Sequence, residues 1–569
     1  MPFQVSPGIN ISEIDLTTVV PNVATSIGAI AGAFQWGPVL ERTSITSEND
    51  LVNTFGVPND DTAEYFLTAA NYLSYSNNLI VVRNVQAGAT NAVVGDNDAG
   101  SAIDVLNATD YDSKTFSDQL FVAKYPGVLG NSLKVEACDQ EGFATWAYKG
   151  NFDRAPGTST NVSAAGGSND EMHVIVVDED GLWTGIPGEV LETHGFVSKA
   201  IDAKRIDGST NYVKNVLRNE SRYIWLGDVD ELTANSVNVS GVPAGRPKAG
   251  NTFQTFDSAT LSEKTPGGSL TLGVDGNAVG NAELIAGYTL FLNPEVVDVT
   301  LVMAGPGSNT VGSYIIDSIA SVRKDCVALV SPNKASVVNA GTGQVAALET
   351  DNTALGSSSY AIMDGAWKYQ YDRYNDVFRY VPMNGDVAGL CARTDFTNDA
   401  WWSPAGMNRG TVKNIVKLSW EPTKADRDVM YQLGINPLIT MRGAGVLLWG
   451  DKTMQIVPSA FDRINVRRLF IVLEKAIAIA AKAMLFEFND EFTRAQFVNM
   501  VSPFLREIQG RRGITDFKVV CDGSNNTGQI IDTNNFVGDI YIKPARSINF
   551  IQLNFIAART DVSFSEIGG

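Results

Sequence analysis

Apolar and polar positions change rhythm several times along the chain, and each rhythm predicts a different kind of element. Residues 1–22 carry Pro2, Pro7, Gly8 and Pro21 around short alternating pieces such as Ile9 and Ile11. That pattern has no helical period, so it reads as an extended apolar arm that needs something to lie on. From Ser26 the run SIGAIAGAFQWGPV predicts a buried strand, a helix follows near Thr62 to Ser74, and NLIVVRNV predicts a second, strongly apolar strand. Between about Ala87 and Glu171 short β runs such as DQLFVAKYP and NSLKVEA sit among Gly, Asn, Asp, Ser and Thr, which predicts an inserted surface β domain. HVIVVDED and RYIWLG are strand-like, and a polar stretch from about Leu232 to Asn281 separates them from VVDVTLVMAGPG, SYIIDSIASVRKD and CVALVSP. These last three read as strand, helix, strand, a parallel β-α-β unit.

The C-terminal part is the most legible. Leu469, Phe470, Leu473, Ala476, Ile477 and Ala480 recur at helical spacing after Asn465, a candidate cap, and predict an amphipathic helix ending near Phe488. A second helix is expected after Asp490, restarted or kinked at Ser502 and Pro503 and ended by Gly510. Strand-like ITDFKVVC, GDIYIKPA and SINFIQLNFIAA follow, the last with Ile548, Phe550, Leu553 and Phe555 in partial alternation.

A chain of 569 residues exceeds what one core sustains, so several domains are expected. With 44% hydrophobic and 19% charged residues, and 52 glycines, it has the composition of a globular, turn-rich protein. The net charge of -20 argues against nucleic acid as main partner, since phosphate binding relies on cationic side chains. The charge is uneven: residues 461–569 hold 13 Lys or Arg against 12 Asp or Glu. Either the acidic part is a solvated surface beside a neutral domain, or the neutral end is buried against a partner. Cys138, Cys326, Cys391 and Cys521 lie far apart, as in a reduced compartment. The apolar stretch IVLEKAIAIAAKAMLF is broken by Glu474, Lys475 and Lys482, so no membrane span or insertion is expected.

Candidate chemistry is sparse. Gly305, Gly307 and Gly312 follow a strand but are spaced GxGxxxxG, and Pro306 removes an amide, so a loop ending a strand is the favoured reading over a nucleotide turn. Gly445 to Gly450 with Asp451, Lys452 and Thr453 misses a phosphate loop by one inserted aspartate. His173 and His194 are the only histidines and build no metal cluster or triad. Asp178 with Asp180, and Asp60 with Asp61, read as solvated loop carboxylates. No catalytic, cofactor or metal residue is assigned, and no cofactor is expected.

Several stretches together resemble the contractile tail sheath family of T-even type myophages: SIGAIAGAFQWGP, AKYPGVLGNSLKVE, VLETH with DGSTNYVKNV, KYQYDRYNDVFRYVP, DVAGLCARTD, WWSPAGMNRG, YQLGINPL, FDRINVRRLF and KPARSINFIQLNF. The resemblance covers most of the chain and is densest from Tyr360 to Ala558. It implies a non-enzymatic structural subunit of mixed, multidomain α+β fold. In that scheme an arm (1–22) and a C-terminal domain (456–569) form an inner α+β domain, and 23–86 with 331–455 a central α/β domain. A β-rich inserted domain (87–170) and a second α/β domain (171–330) project outward.

The implied partners are further copies of the chain in hexameric rings stacked helically, a tail tube protein, and baseplate and tail terminator proteins, with no nucleic acid. The implied location is the virion, after synthesis and assembly in the host cytoplasm. Contraction drives the tube through the host envelope, releasing free energy stored at assembly. Terminal arms add strands to a neighbour's C-terminal sheet in this family; here they correspond to Val5, Ile9, Ile11, Ile14, Leu16, Val562 and Phe564. The acceptor corresponds to Phe517, Val519, Ile548, Phe550, Leu553 and Phe555. An apolar arm with unsatisfied backbone groups suits such an added strand on independent physical grounds. Arg494, Arg506, Arg511 and Arg512 are candidates to face the tube; the alternative is that they cap the helix and bind neighbouring carboxylates. Two other classes stay open: a nucleotide-binding enzyme built on the β-α-β unit, and a surface adhesin built on the glycine-rich insert.

Overall fold

The computed structural model describes residues 20, 23–95, 100–227, 248–253, 255–256, 265–276, 278–549 and 552. The chain divides into two compact units, one of Ala24–Thr397 and Pro404–Asp462, the other of Met1–Val23, Asn398–Ser403 and Arg463–Gly569.

The larger unit is organised by a seven-stranded sheet in the order Ile435–Asn436, Ala361–Asp364, Val327–Val330, Leu301–Met303, Gly28–Ala33, Leu79–Asn84, Arg42–Ile45. Pairing is parallel throughout except for the last strand. Interior strands of such a sheet are covered on both faces and therefore read as unbroken runs of apolar or small residues, as Gly28–Ala33 does. Its glycines have a steric cause. A Cβ on Gly28 would lie 2.6 Å from the Tyr72 ring and one on Gly32 2.5 Å from Tyr65. Both tyrosines come from the helix Ala63–Leu73, whose Tyr72 hydroxyl donates to the Ser26 carbonyl at 2.7 Å.

The sheet takes in Leu301–Met303 and Val327–Val330, which the sequence reading assigned to the second outer domain. The β-α-β unit itself is present, with the helix Asn309–Tyr314 continuing through a π segment, Ile315–Ala320, to Ser321–Arg323. Its strands belong to the central sheet because Leu301–Met303 pairs directly with Gly28–Ala33.

The insert is built on one four-stranded antiparallel sheet, Gly267–Ser269, Leu133–Cys138, Glu171–Asp178 and Glu189–Ser198, beside a three-stranded one of Val93–Val94, Phe121–Ala123 and Ile224–Leu226. Leu133 to Cys138 pairs residue by residue with Asp178 to His173. A domain boundary at 170/171 would cut that ladder, so the two expected outer domains share one sheet and one core. Arg83 ties the insert to the central sheet. Its buried guanidinium donates to the carbonyls of Phe34, Gly37, Gln35 and Pro126 at 2.7 to 3.1 Å, and burial lowers its pKa to about 10.

At the carboxyl ends of the central strands, where open α/β sheets hold ligands, the space is filled from within. Asn384 donates to the Gly305 carbonyl at 2.7 Å and accepts from the Gly305 amide at 3.2 Å. The Ser331 hydroxyl donates to the Asp364 carboxyl at 2.5 Å. Burial pushes Asp364 up to about 8. Because its folded-state pKa lies above the unfolded value, the folded form keeps a proton that the unfolded chain releases. Stability is therefore fully present near pH 4 and declines as pH rises towards about 8. Asp364→Asn keeps the acceptor and removes the titration. Urea unfolding of both proteins is expected to show wild type losing ground to the variant by up to about 1.4 kcal/mol per pH unit across that window; parallel pH profiles would refute this assignment.

The smaller unit packs two helices, Ile464–Ala481 and Glu491–Gly510, against an antiparallel ribbon of Ile514–Val520 and Asp539–Pro544. Its core joins Leu469, Leu473, Phe497, Val501, Leu505 and Trp401, with Val20 from the N-terminal segment. Three expectations change here. The first helix starts at Ile464, so Asn465 lies inside it, buried, and donates to the carbonyls of Trp401 and Ala545 instead of capping. That helix stops at Ala481, passes through a 3-10 turn to Met484, and reaches Phe486 at φ +72°, short of the expected Phe488. The second starts after Asp490, as expected, and runs as one helix through Pro503; the Asp490 side chain caps it, accepting from the Thr493 amide at 2.8 Å. Among the described residues no helix is long and apolar enough to cross a membrane.

Candidate assembly surface

The residues singled out for assembly fall in the smaller unit, and only some of them are described. Val5, Ile9, Ile11, Ile14, Leu16, Val562 and Phe564, with Phe550, Leu553 and Phe555, lie outside the described residues. Phe517 and Val519 sit half-buried on the strand Ile514–Val520, packed against the helical core. Among the described residues that strand pairs with Asp539–Pro544, Phe517 with Ile542 and Val519 with Ile540; most of the SINFIQLNFIAA segment lies outside the described residues. Ile548 belongs to no strand and is 82% exposed. The ribbon has two strands, so each has one edge without a strand neighbour among the described residues.

The four arginines divide into engaged and open. Arg494 is half-buried and donates to the Asn489 side chain at 2.7 Å and its carbonyl at 3.0 Å. Arg511 pairs with Asp399, lies 3.5 Å from Glu507, and places its guanidinium 5.2 Å from the Trp401 ring centroid. Arg512, at φ +67° just past the helix end, stands 5.6 Å over Trp402. Arg506 is exposed, with no ion pair or hydrogen bond among the described residues.

The segment Asn398–Ser403 was missed as part of this unit, since the reading placed it in the central domain. It returns to the smaller unit after the helix Asn384–Thr397 and supplies both tryptophans. The adjacent pair Trp401 and Trp402 in an otherwise polar stretch was the available signal, because such rings need a core to enter.

The alternative chemistry gains no geometry. The Gly445 to Gly450 segment is a hairpin strand, Gly445–Leu448, paired with Leu438–Met441, and not a strand-to-helix loop. Gly305, the first glycine of the GxG turn, is closed by Asn384 as described. His173 is buried in the insert, stacked on Phe152 with ring centroids 4.1 Å apart, and burial lowers its pKa. His194 lies 3.2 Å from Glu192. Asp178 is buried, unlike the solvated carboxylate expected, and Asp60 pairs with Arg379. Among the described residues no group of three or more His, Cys, Asp or Glu side chains is placed to hold a metal.

Comparison with known proteins accounts for the whole chain. Residues 278–454 match the phage tail sheath protein central domain, 457–558 the phage tail sheath C-terminal domain, and 25–83 the tail sheath protein Gp18 domain III N-terminal region. The chain is 36% identical to the tail sheath protein of Vibrio phage KVP40 and 35% identical to that of Enterobacteria phage T4, in each case over 99% of both chains. The fold is shared with the crystal structure of a sheath tail protein from Listeria innocua, at a TM-score of 0.53 and 14% identity over 92% of this chain and 94% of that one. With full-length relatives 31 to 36% identical, and three sheath domains matched in order, the chain belongs to the phage tail sheath family.

Proposed function

We propose that this protein is a non-enzymatic subunit of a contractile tail sheath. Copies assemble in the host cytoplasm as hexameric rings stacked helically around a tail tube protein, bounded by baseplate and tail terminator proteins in the virion. They repack on contraction to drive the tube through the host envelope. The observation that carries this reading is the identity to two phage tail sheath proteins over 99% of both chains. Filling of the sheet's ligand position by Asn384 supports a structural role. The extended assembly is metastable and gains intersubunit contact on contraction, with no nucleotide consumed.

Terminal arms of neighbours would add strands to the ribbon Ile514–Val520 and Asp539–Pro544, whose edges suit strand addition. Main-chain ladders persist while the larger units swivel. Negative-stain microscopy of the purified chain is expected to show tubes of uniform diameter. A monodisperse protein that never polymerises but is stabilised by a nucleotide would support the enzyme reading instead.

Of the tube-facing candidates, Arg506 and Arg512 are the ones with charge to spare. A modest electrostatic contact suits a sheath that must release its tube. Arg506→Glu is expected to leave sheath self-assembly intact, to lower the fraction that co-sediments with tube, and to flatten its salt dependence, since exposed charge pairs are screened by salt. Unchanged tube binding at low salt would remove Arg506 from the interface.

A further inference from the structure

The hairpin Trp367–Asp372 and Val377–Pro382 is built inside out. Along the first strand Lys368, Gln370 and Asp372 point inward and are buried, while Tyr369 and Tyr371 alternate outward. Across the ladder Tyr369 pairs with Tyr380 and Tyr371 with Phe378. The rings form one continuous surface, with Tyr369 4.7 Å from Tyr380 and 5.4 Å from Phe378, and Tyr371 5.3 Å from Phe378. Tyr371 is 47% and Phe378 50% exposed. Scattered exposed aromatics need no explanation, but a contiguous aromatic face on a strand whose polar side is buried does.

The platform is rigid. Asp372 accepts from Arg379, Asn375 and the Tyr374 amide. Tyr374 packs edge-on against Phe66 at 5.4 Å, and Asn375 donates to the Pro58 carbonyl. Charges of both signs rim it: Lys417 stands 5.0 Å over the Tyr369 ring, Arg373 at the turn is ion-paired with Glu48 at 3.0 Å, and Asp376 accepts from the Tyr371 hydroxyl at 2.7 Å.

The insert carries a matching element. Residues 179–189, between the strands Glu171–Asp178 and Glu189–Ser198, hold Glu179, Asp180 and Glu189 and no basic residue. Leu182 and Ile186 are 56% and 60% exposed at its tip. The loop is also held firmly, because buried Asp178 accepts from the amides of Trp183 and Thr184 and from the Ser132 hydroxyl. The apolar tip, Leu182 and Ile186, matches the aromatic platform in character, and the loop's acidic residues complement the Lys417 ammonium at the platform's edge.

We propose that the hairpin's aromatic face is an interface between copies of this chain, and that it receives the 179–189 loop of a second copy. The inference rests on the assembly reading, which supplies neighbouring copies at high local concentration. The four native cysteines are buried and leave engineered thiols to react alone. Full-length Phe378→Cys and Ile186→Cys proteins are mixed, assembled, oxidised and resolved without reductant. Disulfide-linked dimer is expected at least about tenfold above a control pairing Ile186→Cys with Phe396→Cys, a fully surface-exposed site elsewhere, because only docked thiols share a high effective concentration. Polymer that forms with no enrichment of the 378–186 product overturns the docking assignment while leaving assembly intact. Failure of wild-type protein to polymerise under the same conditions overturns the assembly reading, and this inference with it.

Discussion

Deletion of residues 1–16 is expected to yield a folded, soluble subunit that forms no sheath. The cut leaves Val20 and Val23, which pack with the core of the smaller unit, so that unit loses none of its described contacts. What it removes is an apolar segment punctuated by Pro2, Pro7 and Gly8, with no helical alternative. If that segment adds a strand to a neighbour, each subunit forfeits several main-chain hydrogen bonds, each contributing about 0.5 to 1.5 kcal/mol net, together with burial of the apolar side chains. Even about 4 kcal/mol per junction lowers association by roughly a thousandfold, enough to abolish polymer at ordinary concentrations. Sedimentation velocity distinguishes the outcomes: a single slow species with wild-type circular dichroism supports the arm assignment, and normal polymer refutes it.

Lys368→Met is expected to destabilise the larger unit by about 3 to 5 kcal/mol, the usual cost of leaving a buried charge without its partner. Lys368 is fully buried and reaches both carboxylate oxygens of Asp386, at 2.9 and 3.0 Å, and the Lys413 carbonyl at 3.1 Å. Asp386 also accepts from the Tyr75 hydroxyl at 3.2 Å and lies in the first turn of its helix, where the dipole favours an anion. The helix bearing Asp386 packs closely on its neighbours. Gly389 passes so close to Tyr75 that a Cβ would lie 2.3 Å from its ring, and Gly385 approaches the Thr68 carbonyl at 2.4 Å by the same measure.

Burial raises the Asp386 pKa even with its partner present, and without Lys368 the carboxyl takes up a proton on folding. The variant must therefore gain stability as pH falls towards about 4, relative to wild type. Pairing the change with Asp386→Leu is expected to recover most of the loss. Urea titrations at two pH values provide the test, and a single variant within about 1 kcal/mol of wild type would show that the pair is dispensable.

The legibility of the chain followed the range of the interactions involved. Gly28–Ala33, Leu79–Asn84 and the 301–330 unit were readable because interior parallel strands and their helices leave local signatures. The helix start after Asp490 was readable because helix boundaries are set by interactions spanning about three residues, here the Asp490 carboxylate and the Thr493 amide. The domain borders were not, since they depend on pairing between distant strands: Leu133 meets Asp178, and Leu301 meets Gly28.

Of the candidate site, the strand bearing Phe517 and Val519 was readable as a strand, and its pairing with Asp539–Pro544 was not. Both ITDFKVVC and GDIYIKPA read as strands locally, but which strands pair is decided by tertiary packing. The hairpin at 367–382 was noticed as a motif without its orientation, because alternation of lysine, glutamine and aspartate with tyrosine says nothing about which side faces the core.

The division of the chain has a mechanical corollary. It passes between the two units four times, at residues 23/24, 397/398, 403/404 and 462/463. Thrust transmitted from one unit to the other is borne by four covalent tethers in parallel, not by one flexible linker. A protease nick at any single crossing leaves three standing, so one scission does not sever the subunit.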